Sequence, residues 1–211
     1  MENDTPNKIK ISKEIIATLP IETFPGKIVV IDNERDADNA VLQLNNERII
    51  GFDTETRPTF KKGKSNHVAL IQLSTHDTCY LFRINRIGFT PAIKNLLENE
   101  SLLKVGISLK DDFCMLSRLN GGQFIPKNFI ELQKFVKKYN IEDQSLQKIY
   151  GIVIGKKISK GQRLSNWEAD HLTENQQLYA ATDAWSCIKI YEVLKSDKFK
   201  SPIYKIQPSS L

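Results

Sequence analysis

RIIGFDTETRP occupies residues 48–58 of the chain. It opens as an apolar run and ends on two acids, Asp53 and Glu55, one residue apart. Strand side chains alternate between faces, so an extended 49–55 segment sends both carboxylates to the same side. Two like charges that close repel, and one pKa rises unless a cation lies between them. The stretch therefore asks for a partner: a metal ion, a basic side chain or solvent. A lone D-x-E at a strand end is common and carries little weight by itself.

Outward from it, KIVVID (27–32) reads as a strand. ERDADNAVLQLNN (34–46) reads as a helix, with Ala37, Ala40, Val41 and Leu44 at helical spacing. HVALIQLST (67–75) and CYLFRI (79–84) are strands joined by a short turn, a hairpin. TPAIKNLLEN (90–99) is a helix with Thr90 as N-cap and Pro91 at its first position. LLKVGIS (102–108) is a strand and DDFCMLSRL (111–119) the helix after it. NFIELQKFVKKY (128–139) is a strand running into a helix, and SLQKIYGIVIG (145–155) is a helix ended by Gly155. Residues 172–196 form one long helix opened by a Thr173–Gln176 capping box. The order is an antiparallel meander followed by alternating helices and strands. It predicts an α/β fold: one mixed sheet, its meander followed by parallel strands, flanked by helices. Residues 1–26 are expected as an arm with one short helix near 13–18, residues 27–196 as the domain, and residues 197–211 as a tail.

The chain has 211 residues, 40% of them apolar, enough for one domain with a sizeable core. A net charge of +5 is a mild tilt toward polyanions. Cys79, Cys114 and Cys187 show neither zinc spacing nor a disulfide framework, which points to a reducing compartment. The first residues lack the apolar core of a signal peptide, and no run approaches the ~20 apolar residues a membrane helix needs. A cytoplasmic protein without membrane contact is expected.

Two further acidic spots stand out. Asp111-Asp112 follows the strand LLKVGIS, and Asp183 lies in the last helix among Ala180, Ala181, Ala184 and Ile188. Tyr179 lies one turn before Asp183, on the same face. Each has a plain structural reading: Asp111 or Asp112 can cap the helix that follows, and Tyr179 can be a core aromatic. Carboxylates recruited from separate elements are also the usual way to hold hard divalent cations.

Taken together the motifs resemble the DEDD superfamily of 3′-5′ exonucleases, in the tyrosine-type (DEDDy) branch shared by ribonuclease D and the Werner-syndrome exonuclease domain. The first motif is Phe52-Asp53-Thr54-Glu55 followed by Arg57-Pro58. The second is Lys104-Val105-Gly106 with Asp112 at the family spacing, and the third is Tyr179-x-x-x-Asp183. Leu164-Ser165-Asn166-Trp167 adds a Werner-type feature, and the likeness covers roughly residues 27–196. Histidine-type relatives place a His five residues before the last Asp, where this chain has Leu178.

The resemblance implies a ribonuclease H-like fold and a hydrolase that releases nucleoside 5′-monophosphates from nucleic-acid 3′ ends, with DNA favoured over RNA. It implies two ions, Mg²⁺ or Mn²⁺: Asp53 bridging, Glu55 and Asp183 holding one, Asp112 holding the other, with Tyr179 orienting the attacking water. Single-stranded or 3′-end nucleic acid is the expected partner. Lys61, Lys62 and Lys64 and a second cluster of Lys156, Lys157, Lys160 and Arg163 can border the site, or be solvated loops. Trp167 is either a stacking platform or a packing anchor. The alternatives are a non-catalytic nucleic-acid-binding module on the same fold and an interaction protein using the basic face. The complete set Asp53, Glu55, Asp112, Tyr179 and Asp183 argues against both.

Overall fold

The computed structural model describes residues 8–58, 67–196, 199 and 202. Six strands form one sheet: β1 (Lys27–Ile31), β2 (Ile49–Thr56), β3 (Val68–Ser74), β4 (Thr78–Phe82), β5 (Leu103–Gly106) and β6 (Phe129–Glu131). Their order is β1-β4-β3-β2-β5-β6. The meander β2-β3-β4 is antiparallel, and β1 joins its far edge parallel to β4. β5 and β6 continue parallel beyond β2. The expected mixed α/β sheet is therefore present. Every residue of β3 is buried, which is why VALIQLS shows no clean polar alternation: both its faces are covered.

The helices are α1 (Lys13–Thr18), α2 (Glu34–Leu44), α3 (Ile84–Ile87), α4 (Pro91–Leu97), α5 (Leu109–Leu119), α6 (Leu132–Phe135), α7 (Leu146–Ile154) and α8 (Glu174–Lys195). Strand alternation sorts the core. Ile50, Phe52, Ile71, Leu73 and Phe82 point to one face and pack with α2, α4 and α5. Leu70, Cys79 and Leu81 point to the other and pack against Ala180, Ala181 and Trp185 of α8. α8 opens on the predicted capping box, with the Thr173 and Gln176 side chains each bonded to the other's backbone N–H. α7 ends on Gly155 in the left-handed conformation, φ 75°. The turn α3 was not anticipated, and 128–139 is a strand, one helical turn and a 3-10 turn at Val136–Tyr139.

The described part of the expected arm is packed. Ile11, Ile16 and Phe24 are buried. Backbone bridges join Ile9 to Ile141 and Ile21 to Lys157. The Glu22 carboxylate accepts from Tyr150, from Lys156 at 2.8 Å and from Lys189 at 2.9 Å. Phe24 N–H donates to Thr182 Oγ1 at 3.0 Å, beside Asp183, so this segment braces α8 from outside the sheet. The tail 197–211 falls almost wholly outside the described residues. Among the described residues no helix is long and apolar enough to cross a membrane.

Candidate active site

β2 sends Gly51, Asp53 and Glu55 to the face covered by α8. Gly51 sets the distance. A Cβ there would lie 1.9 Å from the Ala184 carbonyl oxygen, so only glycine lets α8 settle this low on β2. The close approach lays Asp183 over Asp53. Ligand oxygens of Asp53, Glu55 and Asp183 all lie within 4.8 Å of one another. Tyr179, one turn earlier, hydrogen-bonds Asp183.

Asp112 arrives from the other side of β2. A Cβ on Gly106 would meet the Phe52 carbonyl oxygen at 2.9 Å, so β5 and the start of α5 also crowd β2. The N-terminus of α5 is held by Glu131 at the end of β6, which accepts from Ser108 N at 3.1 Å and Leu109 N at 2.8 Å. Asp112 is buried and accepts from Thr54 Oγ1 at 2.5 Å, whereas Asp111 is exposed. The spacing favours Asp112, and the burial and direction of the two side chains agree with it. Asp112 stands outside the 4.8 Å group, yet its charge acts on Asp53 and Glu55.

Burial pushes every one of these carboxylates up, and repulsion from the other site acids adds to it at Asp53 and Glu55. Asp53 is raised well above the ordinary range by burial, then by Asp183, Glu55 and Asp112. Burial, Asp183 and Asp112 push Glu55 up to about 9, against the pull of Arg163. Burial lifts Asp183 to about 7 against the Tyr179 hydrogen bond and the charge of Lys160. Burial lifts Asp112 to about 7 against the hydrogen bond from Thr54. Burial and the charges of Asp183, Glu55 and Asp53 hold the Tyr179 hydroxyl protonated far above its usual pKa. Oxygen-only donors, crowded together and short of positive charge, suit a hard divalent cation. The residues present therefore fit such ions.

The substrate-side expectations divide. Lys160 and Arg163 are exposed, and their charges reach Asp183 and Glu55. Lys156 is paired with Glu22, and Lys157 Nζ donates to the Ala17 carbonyl, so this half of the cluster turns away from the acids. Lys61, Lys62 and Lys64 lie outside the described residues. Trp167 as a stacking platform is corrected. Its side chain is 0% exposed and its ring lies against Tyr179, centroids 6.0 Å apart, so no face is open to a base. It is the packing anchor behind the tyrosine. Arg83 holds the segment that follows it, donating to the Ala169 and Asp170 carbonyls. His171 is exposed, and His76 pairs with Glu192 at 2.9 Å.

Sequence reasoning passed over Thr54, Glu131 and Gln72. Thr54 stood inside the first motif, and its hydroxyl between two acids was a usable signal. A Glu in a three-residue strand gave none. Gln72 was a polar residue in an apolar strand, which is a signal only once that strand proves buried on both faces.

A family model described as 3′-5′ exonuclease matches residues 28–197. The chain belongs to this family. It is 36% identical over 203 residues to the bifunctional 3′-5′ exonuclease/ATP-dependent helicase WRN of Mus musculus, a match covering 90% of this chain and 14% of the mouse protein. The chain thus spans a small part of that relative's length. Among solved structures it is similar to the exonuclease domain of Nibbler from Aedes aegypti, with a TM-score of 0.74 at 23% identity, covering 83% of this chain and 91% of that one. The RNase D of Trypanosoma brucei in complex with RNA U12 gives a TM-score of 0.72 at 20% identity, covering 83% of this chain and 65% of that one. These two likenesses concern the fold. The matched segment is thus a 3′-5′ exonuclease domain of the DEDD superfamily, a divalent-metal-dependent family.

Proposed function

We propose that this exonuclease removes nucleoside 5′-monophosphates from DNA 3′ ends using two divalent ions, Mg²⁺ or Mn²⁺. The observation that carries the reading is the convergence of Asp53, Glu55 and Asp183 within 4.8 Å, with Asp112 facing them from α5. Asp53, Glu55 and Asp183 would hold one ion, and Asp53 with Asp112 the second. Bound ions of this kind lower the pKa of a water and clamp the attacking and leaving oxygens of an in-line displacement. The chain's own residues do the rest. Tyr179 keeps its proton, so it acts as a donor that positions water and phosphate oxygens. Lys160 and Arg163 bring positive charge to the rim, where a phosphodiester enters. The preference for DNA rests on the Werner-type resemblance of the motifs, Leu164-Ser165-Asn166-Trp167 among them.

The test is a digestion panel of 5′-labelled single-stranded, recessed and blunt DNA, with RNA alongside, in Mg²⁺ or Mn²⁺. A ladder shortening from the 3′ end, lost in Asp53→Asn and in chelator, is expected. Cleavage that persists in Asp53→Asn removes the mechanism. A faster RNA ladder reverses the substrate assignment alone.

A further inference from the structure

A groove of about 570 Å³ runs between α1 and residues 157–160. Its apolar wall includes Ile21, 62% exposed, and the buried Ile158. Lys13, Lys148, Lys157 and Lys160 line it, and among the described residues no carboxylate does. The neighbouring concavities differ. The one beside the 3-10 turn has Lys8 and Lys10 neutralised by Glu142, at 2.5 and 3.0 Å. The one along α5 includes Asp111 and Glu131. Lys148 is shared with Asp143 at 2.7 Å, while Lys13 and Lys160 carry no ion pair among the described residues.

The groove adjoins a pocket that reaches Tyr179. Ser159 lines both it and the pocket formed by Tyr179 and Thr182. The next residue, Lys160, acts on Asp183. Its outer wall is residues 13–21, which precede the segment 28–197 matched by the family model. The wall is rigid: Lys157 N donates to the Pro20 carbonyl at 2.9 Å and Glu22 N to the Lys157 carbonyl at 2.8 Å. Lys13 and Lys160, without an ion pair among the described residues, on a fixed floor that leads toward Tyr179, suit one ligand chemistry: a chain of phosphates.

We propose that the α1 groove is a track for the unpaired strand of the substrate, holding phosphates several nucleotides from the bond being cut. This rests on the exonuclease reading. Lysines and an apolar wall without aromatic side chains grip backbone and sugar without reading bases, so the track takes DNA and RNA alike.

The variant is Lys13→Glu with Ile21→Asp, both exposed and neither placed in the catalytic machinery. Binding is measured by fluorescence anisotropy in chelator with 5′-labelled 12-nucleotide and 3-nucleotide strands of DNA and of RNA. Hydrolysis of the p-nitrophenyl ester of thymidine 5′-monophosphate with Mn²⁺ reports the active site alone. The expected result is a roughly tenfold rise in Kd for both 12-mers, with a salt slope shallower by about 0.7 for each phosphate no longer neutralised. Trimer binding and ester hydrolysis stay within about twofold of wild type. Unchanged 12-mer binding overturns the track, and so does an equal weakening on the trimer. A wild type that never cleaves the ester counts against the exonuclease reading, while the anisotropy still decides the groove.

Discussion

Thr54 and Asp112, fifty-eight positions apart in sequence, are joined by a hydrogen bond of 2.5 Å from the threonine hydroxyl to the carboxylate. It ties the strand of the first motif to the helix of the second. The bond also holds the Asp112 pKa down against burial. Removing it pushes Asp112 further up, so more of it is protonated at neutral pH and less competent to bind metal. Thr54→Val is expected to raise the half-saturating Mn²⁺ concentration by ~10–100-fold, the usual effect of losing a partner that orients a ligand. The deficit narrows as pH rises through and beyond 7, where Asp112 ionises anyway. Thr54→Ser restores the donor and is expected to restore affinity. A valine variant with wild-type metal dependence at pH 7 would show the bond to be structural only.

The two adjacent acids of the second motif are expected to separate cleanly. Asp112 is buried and bonded, and Asp111 is exposed. Asp112→Asn should remove turnover, while Asp111→Asn keeps it within a fewfold. The reverse result would reassign the ligand.

Tyr179→Phe separates water placement from packing. The ring is buried against Trp167, and phenylalanine keeps that packing. The missing hydroxyl should slow single-turnover cleavage by ~10²–10⁴-fold at most, and at every pH, because the tyrosine is not the titrating base. Melting temperature should hardly move. A variant that melts earlier but cuts at the wild-type rate would leave Tyr179 as a core residue.

The three motifs were legible because their geometry is local. Asp53 and Glu55 share a face by strand alternation alone, and Tyr179 and Asp183 by helical spacing. What brings the motifs together was not legible in the same way. Gly51 and Gly106 read as ordinary strand glycines until α8 and α5 are seen pressing on β2. The edge position of β1, parallel to β4, depends on pairing across about fifty residues and has no local signature. Residues 8–26 looked loose because prolines and polar residues dominate them. Yet three of their apolar side chains, Ile11, Ile16 and Phe24, are buried. Trp167 showed the limit of reading aromatics beside lysines as a binding surface, since the same pattern serves a core anchor under a basic loop.

The acid cluster also fixes how stability depends on pH. Asp53, Glu55, Asp112 and Asp183 all have folded pKa values above the unfolded values of about 4. The native state therefore binds more protons than the unfolded chain between about pH 4 and each folded pKa. Stability of the metal-free protein must then fall as pH rises across that window. Glu22, lowered to about 2, loses its contribution only below pH 4, and Lys104, lowered to about 8, stays largely protonated below 7. Between pH 5 and 7 the cluster acts with little interference from either. In chelator the melting temperature is expected to be higher at pH 5 than at pH 7, by roughly 5 °C or more. Excess Mn²⁺ should reverse the slope, since ions bind the deprotonated acids. A metal-free protein that gains stability from pH 5 to 7 would contradict the raised pKa values.

Gln72 gives the last prediction, and it sets stability against activity. The residue is fully buried in β3, and neither its amide oxygen nor its nitrogen has a hydrogen-bond partner among the described residues. An unsatisfied buried polar group costs about 1–3 kcal/mol, so Gln72 is a liability for folding. Its place suggests what it is kept for. The strand register sets Gln72 directly opposite Asp53. Opposed residues on antiparallel strands share a face, with Cβ atoms ~4.5–5.5 Å apart, so the amide lies within a side-chain rotation of the Asp53 carboxylate. Gln72→Met keeps the shape and removes the polar atoms. It is expected to raise the melting temperature of the metal-free protein by about 2–4 °C for each kcal/mol released. If the amide helps orient Asp53, the same variant needs more Mn²⁺ for half-maximal activity, while its KM for nucleic acid is unchanged. Stability and metal affinity should thus move in opposite directions on one preparation. A methionine variant that melts lower than wild type would mean that the amide is satisfied in solution, by an internal water for example, and that the liability does not exist.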